Sequence, residues 1–180
     1  AFFLDIRKAY DTVWRDGLIY KLLQKGVTGR LGRVISQVLT DTQSRVRFQH
    51  RESAYFPLTL GVGQGDPLST ILFDVFIDDL LEELHARPVH HCIPVDSPHL
   101  DRIADLTYAD DVNALSLTPE GLQGHIDTID TWLFRWRSQP NVSKSKTMVF
   151  NPPQGVPPTV FTMRGSNLDT VQCFKYLGVF

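Results

Sequence analysis

Apolar residues recur at intervals of three and four in four stretches of the chain, and this spacing predicts four amphipathic helices. In chain order the helices are expected to begin at Asp16, Leu31, Pro67 and Pro119. The third start is the most clearly marked, because Asp66 can cap the first amides and proline suits the first helical position. The apolar stripes of the second and fourth helices consist of Leu31, Val34, Ile35 and Val38, and of Leu122, Ile126, Ile129, Leu133 and Trp136.

Short apolar runs and strict alternation predict β-strands in the segments 1–6, 44–49, 55–60, 101–117, 143–150, 159–163 and 173–180. The segment 44–49 alternates arginines with apolar residues and is expected to pair with 55–60, in which Pro57 favours an edge position. The segment 101–117 is expected to form a hairpin, and 85–99, which is polar and contains prolines, a loop. The order of these elements predicts an α+β fold with a mainly antiparallel sheet.

Two adjacent carboxylates, Asp110 and Asp111, interrupt the hairpin in the sequence Tyr-Ala-Asp-Asp. Neighbouring side chains of a strand point to opposite faces, so one of two such aspartates within a strand would face the core, where an unpaired charge is costly. Asp5 poses the same difficulty within the apolar run Phe-Phe-Leu-Asp-Ile. If the first strand lies beside the hairpin, Asp5 and Asp110 meet at one edge of the sheet and can share divalent cations.

Hard carboxylate oxygens suit Mg²⁺, which usually takes one or two protein carboxylates and completes its shell with water and phosphate. Two such ions about 4 Å apart stabilise the attacking and leaving oxygens of a phosphoryl displacement. The three aspartates therefore indicate a two-metal phosphoryl-transfer site. The alternative is an acidic turn in which the aspartates cap backbone amides.

Composition and charge limit the classes of protein to which the chain can belong. The 180 residues are enough for one well-buried domain, but a net charge of −2 and a pI near 6.3 argue against a nucleic-acid partner, which usually requires a basic face. Cys92 and Cys173 are far apart and fit no metal-ligand spacing, which favours a reduced, intracellular protein, and no apolar run is long enough to span a membrane. Because the chain opens without Met and both ends are apolar, we expect it to be a piece of a longer protein.

Five segments, in this order, resemble the palm motifs A to E of reverse transcriptases: FFLDIRKAYDTV, GVGQGDPLS, YADD, NVSKSKTMVF and FKYLGV. The similarity is closest to the enzymes of non-long-terminal-repeat retrotransposons, with the group II intron type a near relative. It covers nearly the whole chain, so that 1–180 is expected to be one palm fragment. The separate matches are weak, but five ordered blocks are specific.

The resemblance implies a role for each acidic and basic motif residue. Asp5 and Asp110 correspond to the two metal-binding aspartates of the family, and Asp111 to a neighbouring acid that matters less directly for coordination. The cofactor would be two Mg²⁺ ions, or Mn²⁺ in their place. Lys144 corresponds to the general acid that protonates the leaving pyrophosphate, although Lys146 is close enough in sequence to leave this assignment open.

The resemblance also implies contacts with nucleotide and primer. Tyr10 would be the steric gate whose ring excludes a ribose 2′-hydroxyl, the group by which a protein tells RNA from DNA. Gln64 and Gly65 would approach the incoming nucleotide and the template base, whereas Asp11 is expected to hydrogen-bond within the fold. The primer grip would be formed by Tyr176, Leu177 and Gly178, although packing alone explains these three equally well.

The expected activity is therefore that of an RNA-directed DNA polymerase, with an RNA template, a DNA primer and dNTPs as partners. The fingers and thumb of the parent polyprotein are missing from the motifs seen here, which would explain the acidic pI and predicts exposed apolar patches. The alternative is a catalytically inactive reverse-transcriptase-like domain that serves as an RNA-binding or scaffold module. An RNA-dependent RNA polymerase shares the palm, but Tyr10 and the YADD sequence disfavour it.

Overall fold

The computed structural model describes residues 1–88, 91–97, 100–152, 155 and 157–178. Within them the helices are α1 (Arg15–Gln24), α2 (Gly29–Thr40), α3 (Pro67–His85) and α4 (Pro119–Arg135). The strands are β1 (Phe2–Leu4), β2 (Gln43–Ser44), β3 (Arg47–Phe48), β4 (Arg51–Glu52), β5 (Phe56–Pro57), β6 (Ile93–Ser97), β7 (Leu100–Ile103), β8 (Asp105–Tyr108), β9 (Asp111–Ala114), β10 (Lys146–Thr147), β11 (Thr162–Met163), β12 (Ser166–Asn167) and β13 (Asp169–Thr170).

The chain divides into two compact units. The first consists of Ala1–Arg7 together with Asp78–Phe180, and the second of Lys8–Ile77. The α+β fold class is confirmed, because four helices combine with strand pairs that are antiparallel in all but one case among the described residues. None of the described helices is long and apolar enough to cross a membrane.

The first unit is built on a five-stranded sheet in the order β13-β10-β1-β9-β8. Only the β10–β13 pair is parallel. The central strand β1 is entirely apolar and buried, as expected of a strand with neighbours on both sides. Helix α4 contacts β9 and β11 and buries the predicted stripe of Leu122, Ile126, Ile129, Leu133 and Trp136.

The second unit contains α1, α2, the first part of α3 and a two-stranded ribbon. In the ribbon β2 pairs with β5 and β3 with β4. The predicted pairing of 44–49 with 55–60 is confirmed only where Ser44 meets Phe56, because Arg47 and Phe48 pair with β4 instead. Arg15, at the start of α1, is buried and donates to the carbonyl oxygens of Gly61, Leu39 and Leu58. These bonds join the segment before α3 to both preceding helices, because one guanidinium supplies several donors.

All four predicted helices form, and two of their starts have the predicted chemistry. The Asp66 carboxylate accepts a hydrogen bond from Leu68 N at 3.1 Å, and Thr118 Oγ1 accepts one from Gly121 N at 3.0 Å. The stripe of α2 differs from the prediction, because only Ile35 of its four residues is buried. Leu31, Val34 and Val38 are 61%, 48% and 54% exposed.

Two strand predictions were wrong. The segment 85–99 was expected to be a loop, but it contains β6, which pairs with β7; residues 89, 90, 98 and 99 lie outside the described part. Half-buried Ile93 and Val95 alternate with exposed residues along β6, which is a strand pattern in spite of Pro94. The segment 173–178 is irregular where a strand was expected, because Leu177 and Gly178 adopt positive φ angles of 49° and 84° and form a turn.

Candidate active site

The register of β1 against β9 brings two of the predicted aspartates together in the first unit. Leu4 pairs with Val112 and Phe3 with Asn113, so that Asp5 follows β1 at the level of Asp111, the first residue of β9. Directly opposed residues of an antiparallel pair share a face of the sheet. The two carboxylates therefore lie at the same end of the two central strands.

Asp110 occupies the turn that joins β8 to β9. Tyr108 pairs with Asp111, which leaves Ala109 and Asp110 as a two-residue hairpin loop. Ala109 has a φ of 53°, as such tight hairpin loops require. The turn resolves the difficulty posed by the adjacent carboxylates, because Asp110 leaves the sheet instead of pointing into the core.

The segment after α4 fixes the main chain of Asp5. Asp5 N donates to Ser145 Oγ at 3.1 Å, and Asn141 N donates to Asp5 O at 2.7 Å. Ser145 is fully buried and its hydroxyl also donates to the Asn141 carbonyl oxygen. The NVSKSK motif thus forms a tight turn that holds the end of β1, and neither Asn141 nor Ser145 was predicted as a site residue. The Asn and Ser residues of this motif, which favour turns, were the available signal.

Asp5 and Asp111 line a small cleft in this unit together with Lys144 and Tyr176. The remaining walls are apolar and are formed by Phe3, Leu4, Val112 and Phe174. Asp110 is not among the lining residues. The cleft therefore combines two carboxylates, one ammonium group and one phenol with apolar lining residues.

Electrostatics couple the three aspartates. Partial burial raises the pKa of the Asp111 carboxyl above its usual range, and the negative charges of Asp110 and then Asp5 raise it further. Like charges disfavour the ionised form when they are close, so the neighbouring carboxylates act on Asp111 in the same direction as its burial. A cation placed among them would have the opposite effect.

The two candidate lysines lie in different surroundings. Lys144 lines the cleft with Asp5 and Asp111. Lys146 bonds instead to the Asp169 carboxylate and to the Ser143 carbonyl oxygen, both at 2.6 Å. The ion pair between Lys146 and Asp169 joins the neighbouring strands β10 and β13 at the edge of the sheet.

The predicted primer-grip segment packs on the hairpin formed by β8 and β9. Tyr176 Oη donates to the Leu106 carbonyl oxygen at 2.9 Å and lies 3.4 Å from that of Asp111. Phe174 stacks on Phe3 with ring centroids 4.1 Å apart, a contact that the sequence did not predict. Burial raises the pKa of the Tyr176 hydroxyl, and the carboxylates of Asp111 and Asp105 add to the shift. Leu177 and Gly178 form the exposed turn that follows.

The residues predicted to meet the nucleotide lie in the second unit. Tyr10 is half-buried and stacks on Phe73 with ring centroids 4.5 Å apart. Its carbonyl oxygen accepts from Val62 N at 2.8 Å, which places the GVGQG loop beside it. Gln64 Nε2 donates to Asp11 Oδ1 at 3.1 Å, in agreement with the expectation that Asp11 bonds within the fold.

Glycine is required in this loop for a specific reason. Gly61 has a φ of 81°, and a Cβ at that position would lie 2.5 Å from the Asp11 carbonyl oxygen. Gly65 also has a positive φ, of 82°, but a Cβ there would meet no atom within 4 Å. Gly61 therefore serves close packing of the loop, whereas Gly65 leaves open space beside the main chain, next to Gln64.

The donor set of the cleft fits a hard divalent cation that brings its own oxygen ligands. No group of three or more His, Cys, Asp or Glu side chains within the described ranges is arranged to hold a metal ion. Asp5 and Asp111 in one cleft, with Asp110 adjacent, supply the one or two carboxylates that Mg²⁺ takes when water and substrate phosphate complete its shell.

Comparison with known proteins gives a consistent result. The family model described as "Reverse transcriptase (RNA-dependent DNA polymerase)" matches residues 1–180. The RNA-directed DNA polymerase from the mobile element jockey of Drosophila melanogaster is 30% identical over 98% of this chain and 19% of its own length. The probable RNA-directed DNA polymerase from transposon BS of the same species is 31% identical over 99% of the chain and 19% of its own length.

A third relative comes from a different element. The retrovirus-related Pol polyprotein from the type-1 retrotransposable element R2 of Nasonia vitripennis is 27% identical over 98% of the chain and 18% of its own length. The chain thus spans about a fifth of the length of these curated relatives. Reverse transcriptases in general use divalent metal ions, in agreement with the carboxylates of the cleft. The chain belongs to the reverse transcriptase family, in the form found in non-long-terminal-repeat retrotransposons.

Proposed function

We propose that this chain is the palm of an intracellular RNA-directed DNA polymerase that extends a DNA primer on an RNA template. The reaction is attack of the primer 3′-hydroxyl on the α-phosphate of a dNTP, with pyrophosphate as the leaving group. The observation that carries this proposal is the cleft in which Asp5, Asp111 and Lys144 meet. The fingers and thumb of the polymerase would be supplied by other parts of a longer polyprotein, since the relatives are about five times as long.

Asp5 and Asp110 are the proposed ligands of two Mg²⁺ ions, or of Mn²⁺. When bound, such ions stabilise the negative charge on the attacking and leaving oxygens. Asp111 lines the cleft with Asp5, so it is the alternative second ligand, and a cation there would offset the repulsion among the neighbouring carboxylates. Lys144 Nζ is the proposed donor of a proton to the leaving pyrophosphate oxygen, which the position of Lys146 on Asp169 supports.

The proposed nucleotide contacts come from the second unit. Tyr10 excludes a 2′-hydroxyl through its ring, which the stack on Phe73 holds in one orientation. Gln64 and Gly65 approach the nucleotide and the template base, and the open space beside Gly65 supports a close approach of the main chain. Tyr176, Leu177 and Gly178 hold the primer terminus.

The test is primer extension on an RNA template by the chain joined to the flanking regions of its own polypeptide. We expect Asp5→Asn and Asp110→Asn each to lower kcat by at least about 10³-fold, and Asp111→Asn to have a smaller effect. Asp41→Asn, an exposed aspartate at the end of α2, is the matched control and should leave the rate unchanged.

Three results would count against parts of the proposal. An inactive parent protein that still binds RNA would favour the scaffold alternative. A larger loss for Asp111→Asn than for Asp110→Asn would move the second ligand to Asp111. Unchanged discrimination between dNTPs and ribonucleotides in an active Tyr10→Ala variant would refute the steric gate.

A further inference from the structure

A two-stranded ribbon in the second unit has no assigned role in the function proposed above. It consists of residues 43–57, in which β2 pairs with β5 and β3 with β4, and its tip is the turn at Gln49-His50. Every residue from 45 to 57 is exposed. An isolated two-stranded ribbon is marginally stable in water, so a ribbon without a buried face is expected to be stabilised by a partner.

The charge of the ribbon is opposite to that of the chain. Three arginines, Arg45, Arg47 and Arg51, stand against one acidic residue, Glu52, which gives a net charge of +2, whereas the whole chain carries −2. A local basic surface on an acidic protein indicates an anionic partner.

The arginines are interleaved with exposed apolar side chains. Val46, Phe48, Tyr55 and Phe56 are 59%, 71%, 62% and 40% exposed. Aromatic rings in a basic setting are the combination that binds single-stranded nucleic acid, because the bases stack on the rings while the arginines follow the phosphates.

The register shows which side chains are available. Arg45 forms an ion pair with Glu52 and lies over the Tyr55 ring, with its guanidinium carbon 5.2 Å from the ring centroid. Arg47 is only loosely associated with Glu52, at 3.8 Å, and its side chain is 75% exposed. Arg51 forms no ion pair with any described residue and lies directly opposite Phe48. Phe48 and Arg51 thus share a face of the ribbon.

We propose that the ribbon 43–57 is a binding site for single-stranded RNA, in which Arg51 contacts a phosphate and Phe48, on the same face, stacks on a base, while Arg47 lies with Glu52 on the opposite face. The choice of RNA rests on the proposed function, because nothing in the ribbon recognises the 2′-hydroxyl. The choice of a single strand rests on the rings, since a base must be unpaired and unstacked before an aromatic side chain can stack on it. An apolar protein surface would cover Val46 and Phe48 but would leave the arginine charge without a counterion.

The test measures equilibrium binding and does not depend on catalysis. Fluorescence anisotropy of a labelled, unstructured 20-nucleotide RNA with the 180-residue chain is recorded between 50 and 300 mM salt, without Mg²⁺ or dNTPs. We expect Arg51→Gln to weaken binding and to reduce the slope of log K against log salt by about 0.7. Arg47→Gln, on the opposite face with Glu52, should have a smaller effect. Phe48→Ala should weaken binding by roughly 5- to 150-fold, the usual range for one stacked base, with little change in slope.

Each variant has a matched control outside the ribbon. Arg33→Gln removes an exposed arginine of α2, and Phe134→Ala removes a ring of α4 that is 81% exposed. Both should bind RNA as the parent does. Because the assay contains no Mg²⁺ and no dNTPs and measures no catalysis, a failure of the polymerase proposal and a failure of the ribbon proposal are distinguishable.

Four outcomes would overturn the proposal. The first is binding that none of the ribbon variants weakens. The second is an equal loss in Arg33→Gln, which would indicate general electrostatic attraction. The third is binding of single-stranded DNA but not RNA. The fourth is a chain that binds no RNA and instead self-associates through the ribbon, with association abolished by Phe48→Ala.

Discussion

The buried histidine of α4 should make the stability of this protein fall between pH 6.5 and pH 4. His125 is fully buried, and burial lowers the pKa of its imidazole from about 6.5 to about 4. The backbone of His91 and the Asp105 carboxylate favour the charged form, while Arg87 and His91 oppose it, and none of them outweighs burial. The folded state therefore keeps this ring neutral at pH values where the unfolded chain protonates it.

The sign and the size of the effect follow from linkage. Below pH 6.5 the unfolded state binds a proton that the folded state rejects, so the free energy of unfolding decreases as the pH falls and levels off below about pH 4. A difference of about 2.5 pKa units corresponds to about 3 kcal/mol, of which about 2 kcal/mol is lost by pH 5. In a chain of this size that loss lowers Tm by roughly 4–8 °C.

The assay is urea unfolding of the 180-residue chain, followed by circular dichroism, at half-unit steps from pH 4.5 to pH 7.5. His125→Gln keeps a polar side chain of similar size but cannot titrate, so its unfolding free energy should depend less on pH by about 2 kcal/mol between pH 7.5 and pH 5. His50→Gln, at the exposed tip of the ribbon, is the control and should retain the parent profile. Parallel profiles for the parent and His125→Gln would refute the reasoning, whatever the absolute stability of the variant.

Two further predictions concern activity and solubility. Lys144→Ala should lower the rate of nucleotide addition in the polymerase assay by about 10²-fold or more. Lys146→Ala should lose the ion pair with Asp169 and the hydrogen bond to the Ser143 carbonyl oxygen, and so cost about 1 kcal/mol of stability with little change in rate. The reverse order of the two rates would contradict the assignment. Exchange of the exposed Val34 and Val38 of α2 for glutamine should reduce light scattering at high concentration without lowering the free energy of unfolding. Ile35→Gln, at the buried position that lies between them in sequence, should destabilise the chain. Equal scattering by the double variant and the parent would rule out this stripe as the cause of aggregation.

The elements that could be predicted from the sequence are those determined by neighbouring residues. Thr118 caps α4 and Asp66 caps α3 through hydrogen bonds that span two or three residues, so the sequence contains the whole cause of each helix start. The interruption of the hairpin at Asp110 could be predicted for a related reason, because adjacent carboxylates cannot both be accommodated in a half-buried strand.

The elements that could not be predicted depend on distant partners. Strand β6 exists because it pairs with β7, and neither a proline-containing segment nor its composition reveals that pairing. The choice between Lys144 and Lys146 depends on where the turn at Asn141 directs each side chain and on Asp169, which is 23 positions further along the chain than Lys146. The exposure of Leu31, Val34 and Val38 has the same origin, because helical spacing defines a stripe but does not say what covers it.

The acidic net charge, which argued against a nucleic-acid partner, loses this meaning once the charges are placed on the fold. The carboxylates of Asp5 and Asp111 face one cleft, beside Asp110, and burial raises the pKa of the Asp111 carboxyl, with Asp110 and then Asp5 adding to the effect. The arginines lie on an exposed ribbon that belongs to the other unit. A partner responds to the potential near its own binding surface, because screening at physiological salt limits the reach of exposed charges to about 8 Å. A protein that gathers carboxylates around a proposed cation site and carries arginines on a separate ribbon can therefore be acidic in sum and still present a basic surface to a polyanion.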